Sequence, residues 1–242
     1  MFDMKANETI EDLQFKGLKI ILSADLPRFT TDSVLLSDFC KAKMGDFVAD
    51  FGSGTGIISL LVYGRYSCSV VGFEINGELA DMMQRSIILN SLEDKIMVEN
   101  MDLREAYRHY NGAFDVCVCN PPYYDAKAHI IPKDIHRSLT RAQTETTIFD
   151  IARAATRILK SGGYFYMSYP VDRVMDALEA LRRNRLEPKT MQFVRANKSV
   201  SPYLTLIKAK KDGGVGIKIS DDFIIYDENG EPTEMLNKAY HR

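Results

Sequence analysis

The chain has 242 residues, of which 45% are hydrophobic and 26% are charged, with a formal net charge of −2. This composition excludes a disordered or fibrous protein and is sufficient for the core of one large α/β domain. No run of about 18 apolar residues is present and no apolar signal region follows the first residues, so we expect a cytoplasmic protein without a membrane span. The four cysteines form no C-x-x-C pair, which argues against a metal site and a disulfide framework.

Residues 1–30 are predicted to form a small N-terminal extension. The segment Leu13 to Ser23 is predicted to form a small hairpin that turns near Lys16-Gly17. A helix is predicted to follow, because Thr31 or Asp32 can cap it and its apolar residues share one face, namely Leu35, Leu36, Phe39 and Cys40.

A strand, a glycine-rich turn and a helix are predicted between Phe47 and Leu61. Glycines in Asp50 to Gly56 allow backbone amides to approach a ligand closely, and the start of a helix favours negative groups. The spacing is G-x-G-x-G, whereas the dinucleotide fingerprint requires G-x-G-x-x-G and hence a glycine at Ile57. A nicotinamide cofactor is therefore disfavoured.

Two further predicted strands end in acidic residues. Val70 to Glu74 places a carboxylate 22 residues after Gly52, where it can accept hydrogen bonds from ribose hydroxyls. The strand Ile96 to Glu99 is followed by Asp102, which is placed to accept a hydrogen bond from an adenine amino group or to cap a helix. Both interpretations of Asp102 stay open at this point.

The fourth predicted strand ends in Asn120-Pro121-Pro122-Tyr123. Proline cannot donate to a sheet ladder, so the apolar run Val116 to Cys119 must stop at Asn120, where parallel strands usually carry ligands. The amide oxygen of Asn120 and the carbonyl of Pro121 can accept both hydrogens of an exocyclic or amide amine. Tyr123 offers a face on which an extruded base can stack. An ordinary turn followed by a partly buried aromatic pair is the alternative.

The second half of the chain predicts the remaining elements of a doubly wound sheet. A helix from Ile148 to Leu159 is expected to end at Gly162-Gly163, and Tyr164 to Tyr169 is expected to form a fifth strand. A helix over Val174 to Leu181 precedes two closing strands, Thr190 to Val194 and Tyr203 to Ile207. The fold class is therefore α/β, with a terminal antiparallel strand pair.

Charge is unevenly distributed along the chain. From Arg182 to Lys211, nine Lys or Arg residues stand against one acid, Glu187, while Asp221 to Glu234 holds six acids and no base. The basic block favours a polyanion-facing side, and the loop from Tyr124 to Thr146 is long enough to grip a substrate. The candidate phosphate contacts are Arg137, Arg141, Arg195 and Lys198.

These motifs together resemble a known family. Asp50 to Gly56, Glu74, Asp102 and Asn120 to Tyr123 fall at four successive predicted strand ends, as in the class I S-adenosylmethionine-dependent methyltransferases of the amino-methylating N-P-P-Y type. More narrowly, the chain is similar to bacterial tRNA adenine-N6 methyltransferases that act at position 37 of a valine tRNA. The segments that carry this narrower resemblance are Phe29 to Leu36, Asn120 to Tyr124, Arg137 to Arg141 and Ile224 to Glu231.

The resemblance implies a role for each matched residue. S-adenosylmethionine is the implied cofactor, tRNA the implied partner, and residues 31–242 the implied methyltransferase domain; a monomer without metal is favoured. The implied catalytic tip is Asn120, Pro121, Pro122 and Tyr123. The methionine part of the cofactor is assigned to Gly52, Ser53, Gly54 and Thr55, the ribose to Glu74, and the adenine to Asp102 with Leu103. Thr31 and Asp32 are expected to close over the cofactor, and the remaining implied contacts are Asp50, Ile75 and Asn120.

Two other function classes remain open at the level of sequence. A protein-glutamine methyltransferase of the release-factor type shares the N-P-P-Y motif, but it resembles a core preceded by a helical recognition domain, and here only about thirty residues come before the core. A noncatalytic nucleotide- or RNA-binding module is the other class, and the intact tip from Asn120 to Tyr123 argues against it.

Overall fold

The computed structural model describes residues 4–121 and 146–241. Within these residues a two-stranded antiparallel sheet precedes a nine-stranded mixed sheet with helices on both faces. The strands of the first half are β1 (Glu8–Asp12), β2 (Lys19–Ser23), β3 (Phe47–Phe51), β4 (Ser69–Phe73), β5 (Ile96–Glu99) and β6 (Phe114–Cys119). Those of the second half are β7 (Leu159–Pro170), β8 (Leu186–Arg195), β9 (Leu204–Lys211), β10 (Lys218–Ile219) and β11 (Phe223–Ile224).

One half of the large sheet is parallel and runs from the edge strand β5 through β4 and β3 to β6. Residues of β3, β4 and β6 are mostly buried on both faces, which is why these strands are short apolar runs without a polar alternation. The order reverses between β4 and β6, which flank the first strand, β3. A doubly wound sheet binds ligands at such a switch point, beyond the carboxyl ends of the strands.

The terminal strand pair is confirmed. β7 runs parallel to β6, and β9 inserts antiparallel between β7 and β8. The short strands β10 and β11 then run beside β8. This arrangement brings the carboxyl end of β8 and the beginning of β9 to the same edge of the sheet as the carboxyl end of β6.

Helices cover the two faces of the sheet with separate hydrophobic cores. They are α1 (Thr31–Phe39), α2 (Ile57–Tyr66), α3 (Gly77–Leu89), α4 (Tyr107–Tyr110), α5 (Ile148–Ile158), α6 (Val174–Arg183) and α7 (Glu234–Ala239). One core contains buried residues of α1, α2, α3 and α7, and the other contains those of α5 and α6. No helix in the described part of the chain is long and apolar enough to cross a membrane.

The N-terminal hairpin exists, but its predicted extent was wrong. The first strand is Glu8–Asp12, and the segment Leu13 to Leu18 forms the turn, closed by a hydrogen bond from Leu13 N to Leu18 O of 2.9 Å. Phe15 is buried within this turn, so its apolar character serves packing and not strand pairing. Glu8–Asp12 escaped prediction because it is polar and faces solvent for most of its length. The boundary at residue 30 stays a prediction.

The end of α5 also differs from the expectation. The helix stops at Ile158, and β7 begins at Leu159, so Gly162-Gly163 lies inside the strand. Lys160 donates to Asp115 Oδ1 at 2.7 Å, which ties this segment to β6 as soon as the helix ends. Gly162 has a φ of +78° and lies where the pairing of β6 with β7 is irregular. It therefore does not cap the helix.

Candidate active site

A cavity of about 380 Å³ opens at the carboxyl ends of β3, β4, β5 and β6, which is within the usual size of a small-molecule site. The switch point therefore carries a pocket, as the sheet topology requires. Most of the sequence-predicted site residues line it, namely Asp32, Gly52, Ser53, Gly54, Thr55, Glu74, Ile75, Asp102, Leu103, Asn120 and Pro121.

The glycine turn after β3 forms the floor of this cavity. Gly52, Gly54 and Gly56 all have positive φ, at +68°, +57° and +93°. At Gly56 a Cβ atom would in addition lie 2.8 Å from the Cγ of Met83, so the turn packs tightly against α3. Backbone conformation and close packing together account for the glycines of the motif.

Glu74 forms one side of the cavity. Its carboxylate accepts hydrogen bonds from Gly54 N at 2.9 Å and Asn76 N at 2.8 Å, one on each oxygen. Burial raises the pKa of Glu74 above its usual range, whereas these backbone hydrogen bonds lower it in part. The residue is 2% exposed and lines the cavity. A carboxylate has about four acceptor positions, so these backbone bonds and a further one from Ile75 are compatible with a bond from a ribose hydroxyl.

Asn120 directly follows β6 and lines the same cavity as Glu74. Its Nδ2 donates to Ser33 Oγ at 3.0 Å, and its Oδ1 accepts from Ser168 Oγ at 2.5 Å. Pro121 follows it along the cavity wall. Pro122, Tyr123, Arg137 and Arg141 lie outside the described residues. The stacking role of Tyr123 and the phosphate contacts of the two arginines stay predictions.

The wider comparison with known proteins assigns the family. Residues 29–185 match the family described as the methyltransferase small domain. The chain belongs to this family. It is an S-adenosylmethionine-dependent methyltransferase, and the resemblance to that class stated from the motifs is confirmed.

Similar proteins align with most of the methyltransferase chain. A Bacteroides fragilis protein named tRNA1(Val) (adenine(37)-N6)-methyltransferase is 26% identical over 80% of this chain and 81% of its own length. A Haemophilus influenzae protein of the same name is 24% identical over 92% of this chain and 93% of its own. The crystal structure of an Agrobacterium tumefaciens protein described as a predicted O-methyltransferase superposes with a TM-score of 0.71, at 18% identity, over 87% of this chain and 95% of that one. The last likeness confirms the fold.

The cavity fits S-adenosylmethionine. The carboxylates of Glu74 and Asp102 and the amide of Asn120 line it, and they can bond to the polar groups of the cofactor. The apolar residues Phe51, Phe73 and Leu79 line the same cavity and suit the adenosyl part. Bound there, the cofactor supplies an electrophilic methyl group on a sulfonium. Across the described segments, no group of three or more His, Cys, Asp or Glu side chains could hold a metal ion.

Asp50 does not line this cavity. It is fully buried, and its Oδ2 accepts from Ser59 Oγ on α2 at 2.7 Å. Burial raises the pKa of Asp50 to about 7. This geometry places the carboxylate behind the glycine turn, where it joins β3 to α2. A direct contact between Asp50 and the cofactor stays a prediction.

Asp102 combines the two interpretations that the sequence left open. It caps the short 3-10 turn Leu103–Glu105 by accepting from Arg104 N at 2.9 Å, so the cap is confirmed. Burial alone would raise the pKa of Asp102, but hydrogen bonds from the Arg104 backbone and guanidinium outweigh it and hold the pKa below its usual value. Asp102 and Leu103 also line the cavity, which is compatible with the predicted contact to adenine.

Two tyrosines hold the beginning of α1. Tyr203 OH donates to Asp32 Oδ1 at 3.2 Å, and Tyr240 OH donates to Thr31 Oγ1 at 3.3 Å. Burial raises the pKa of Asp32, and the bond from Tyr203 lowers it in part. Asp32 lines the cavity; Thr31 is not among the lining residues. Closure of α1 over the cofactor stays a prediction.

The basic block is partly neutralised by the acidic tail. Arg195 pairs with Asp222 at 2.5 Å and donates to Val200 O at 2.8 Å. Lys198 is exposed in the connection from β8 to β9. Neither residue lines the cavity, although both lie at the sheet edge on which it opens. The two opposite charge blocks thus fold onto each other at Arg195, which leaves Lys198 as the better candidate for a phosphate contact.

The hydrogen-bond partners that hold predicted site residues include three that were missed from the sequence: Ser33, Ser168 and Tyr203. Ser33 follows the predicted helix cap at Thr31 or Asp32 and could have been placed near it. Cys119 is opposite Met167 in the register of β6 and β7, so the next residue of each chain segment places Ser168 beside Asn120. That register is the only signal that would have found Ser168, and it depends on knowing which strands are neighbours.

Proposed function

We propose that this methyltransferase transfers a methyl group from S-adenosylmethionine to the exocyclic N6 amine of an adenine in tRNA. The observation that carries the proposal is that Asn120 and Glu74 line one cavity. An acceptor-binding amide and a ribose-binding carboxylate therefore face a common space, in which the sulfonium methyl and an amine can meet.

The chemistry at Asn120 favours an amine with two hydrogens. The lone pair of such an amine is delocalised into its ring or carbonyl, which makes it a weak nucleophile. Acceptance of one hydrogen by the Asn120 amide oxygen and of the other by the Pro121 carbonyl favours a tetrahedral nitrogen whose lone pair is available. A carbonyl oxygen has two lone pairs, so the bond from Ser168 is compatible with this role.

Transfer itself needs orientation more than acid–base chemistry. The nitrogen lone pair attacks the methyl carbon in line, the new N–C bond forms as the C–S bond breaks, and the sulfur leaves as S-adenosylhomocysteine. The methylated nitrogen then releases one proton to solvent. Because the lone pair attacks directly, holding the amine in line with the methyl group supplies most of the rate enhancement.

The names of the relatives support tRNA as the source of the adenine. Both relatives described above are named for adenine 37 of tRNA1(Val), at 26% and 24% identity over most of the chain. We extend this to position 37 of a valine tRNA for the present enzyme. An anticodon loop presents bases that are already unpaired, so moving one into the cavity costs less than flipping it from a duplex.

The test is methyl transfer from labelled S-adenosylmethionine to total tRNA, followed by nucleoside analysis. We expect labelled N6-methyladenosine, and its loss when valine tRNA is removed from the mixture. A parallel reaction with purified proteins measures the rival acceptor. Label on a protein glutamine, with no N6-methyladenosine in the tRNA, would exclude the proposed acceptor.

A further inference from the structure

The side chain of Asn120 is held by two serine hydroxyls that lie far from it in the sequence. Ser33 comes from the first turn of α1, and Ser168 comes from β7, the strand beside Asn120. The hydrogen bonds measure 3.0 Å to Ser33 Oγ and 2.5 Å from Ser168 Oγ. Each serine contacts a different end of the amide, so rotation of its plane would disturb both bonds.

The two serines differ in their position relative to the cavity. Ser33 lines the cavity and is 5% exposed, so a bound ligand can reach it. Ser168 is 0% exposed and does not line the cavity, so it lies behind Asn120. Its hydrogen bond to the Asn120 amide connects Ser168 to the cavity.

A hydroxyl at position 168 is unexpected on packing grounds. Its neighbours Met167 and Tyr169 are buried, and its partner across the strand pair is the buried Leu206. Burying a hydroxyl in such surroundings is unfavourable unless it makes a hydrogen bond. The bond to Asn120 Oδ1 meets this requirement and, at the same time, fixes the direction of that oxygen.

We infer that Ser168 is a positioning residue for methyl transfer, which acts by holding the Asn120 amide oxygen toward the acceptor amine. Ser168 itself contacts neither cofactor nor substrate. An amide held in one orientation needs no reorganisation when the amine enters, and small errors in position at a reacting centre lower rates strongly. The kinetic consequence rests on the proposed role of Asn120, while the positioning of the amide does not.

The structural test observes the amide directly in the intact protein. Asparagine is labelled with nitrogen-15, and the side-chain NH₂ signals of Asn120 are assigned from their loss in Asn120→Ala. In Ser168→Ala we expect these signals to shift and their hydrogen exchange to become faster. Ser37→Ala is the matched control, since Ser37 is equally buried and bonds only to the Val34 carbonyl within α1. Unchanged Asn120 signals in Ser168→Ala would overturn the inference.

The kinetic test is a double-mutant cycle on single-turnover methyl transfer. Ser168→Ala should lower the rate roughly tenfold, as expected for loss of one hydrogen bond that orients the Asn120 amide, and leave S-adenosylmethionine affinity within about twofold. In the Asn120→Ala background the same change should have no further effect, because the residue acts through the amide. Equal losses in both backgrounds, or a loss that follows cofactor affinity, would contradict the inference.

Further variants separate folding from positioning. Ser168→Cys keeps the shape and a weak donor, so its rate should lie between those of wild type and Ser168→Ala, and it carries the cycle if the alanine variant does not fold. The cycle is run on whichever acceptor the wild-type enzyme labels. If wild type labels no tRNA adenine, the proposed function fails, and the amide signals still decide the role of Ser168.

Discussion

The two sides of the cavity are built in different ways. On the side that we propose binds the cofactor, the Glu74 carboxylate is held by backbone N–H groups of Gly54 and Asn76, from the adjoining turn and its own loop. On the side that we propose binds the acceptor, the Asn120 amide is held by side-chain hydroxyls 87 and 48 positions away in the sequence. The cofactor side therefore depends on backbone conformation, which glycines supply, and the acceptor side depends on individual side chains from remote elements.

The largest effect is expected on the acceptor side alone. Asn120→Ala should lower the single-turnover rate of methyl transfer roughly 10²- to 10³-fold, the range seen when one group that stabilises a transition state is removed. Cofactor affinity should stay within about twofold. Asn237→Ala on α7, outside the cavity, is the control. A matching fall in cofactor affinity would show that the two sides are not separable in this way.

A smaller effect is expected on the cofactor side. Glu74→Ala should weaken S-adenosylmethionine binding by about 1.5–3 kcal/mol, or roughly 10- to 150-fold, because a charged hydrogen bond to ribose is lost. Isothermal calorimetry measures this loss directly. Glu99→Ala is the matched control, since Glu99 ends the neighbouring strand β5, bonds to Tyr110 OH and does not line the cavity. Equal affinities of the two variants would remove Glu74 from the ribose site.

A third region should affect stability without affecting either side. The Glu8 carboxylate in β1 accepts from both terminal nitrogens of Arg85 on α3 at 2.7 Å and 2.6 Å, and these bonds lower the pKa of Glu8 to about 2. The folded pKa lies below the ordinary value of 4.5, so the stabilisation is present above that value and is lost as pH falls through about 2.

The corresponding measurement compares Glu8→Gln with wild type by chemical denaturation across pH. Above pH 5 the variant should be less stable by about 1.5–3 kcal/mol, and the difference should shrink as pH falls from about 4.5 toward 2. Cofactor affinity at neutral pH should be unchanged. A stability difference that is constant down to pH 2 would mean that the ion pair contributes nothing.

The smallest effect is expected outside the cavity, in the basic block from Arg182 to Lys211, and it tests which of its residues contact tRNA phosphates. A plot of log tRNA affinity against log salt has a negative slope. Lys198→Ala should reduce the magnitude of this slope by roughly 0.7–0.9, as for the loss of one phosphate contact. Arg195→Ala should change it less, because the Arg195 guanidinium already pairs with Asp222. Neither should alter cofactor binding. A larger change in slope for Arg195 than for Lys198 would show that tRNA displaces Asp222.

Much of the site was predictable because it is local. A short buried strand followed by glycines, by Glu74 or by Asn120 and prolines identifies a strand end, and the carboxyl ends of parallel strands meet at one edge whatever their order. The glycine turn, Glu74, Ile75, Asp102, Leu103 and Asn120 therefore line the cavity as expected from sequence. The polar strand Glu8–Asp12 and the start of β7 at Leu159 were not predicted. Both are strands because of the segments that they pair with, and local propensity does not indicate them.

The sequence by itself determined the class of fold and the residue types that meet at the switch point. Only the tertiary structure decided which residues hold these side chains in place by hydrogen bonds and ion pairs. The contacts of Asn120 with Ser168, of Asp32 with Tyr203, and of Arg195 with Asp222 join positions 48, 171 and 27 apart. They exist because β7 lies next to β6, β9 inserts between β7 and β8, and the tail returns along β8. Strand order and register are set by packing over the whole sheet, which no local pattern encodes.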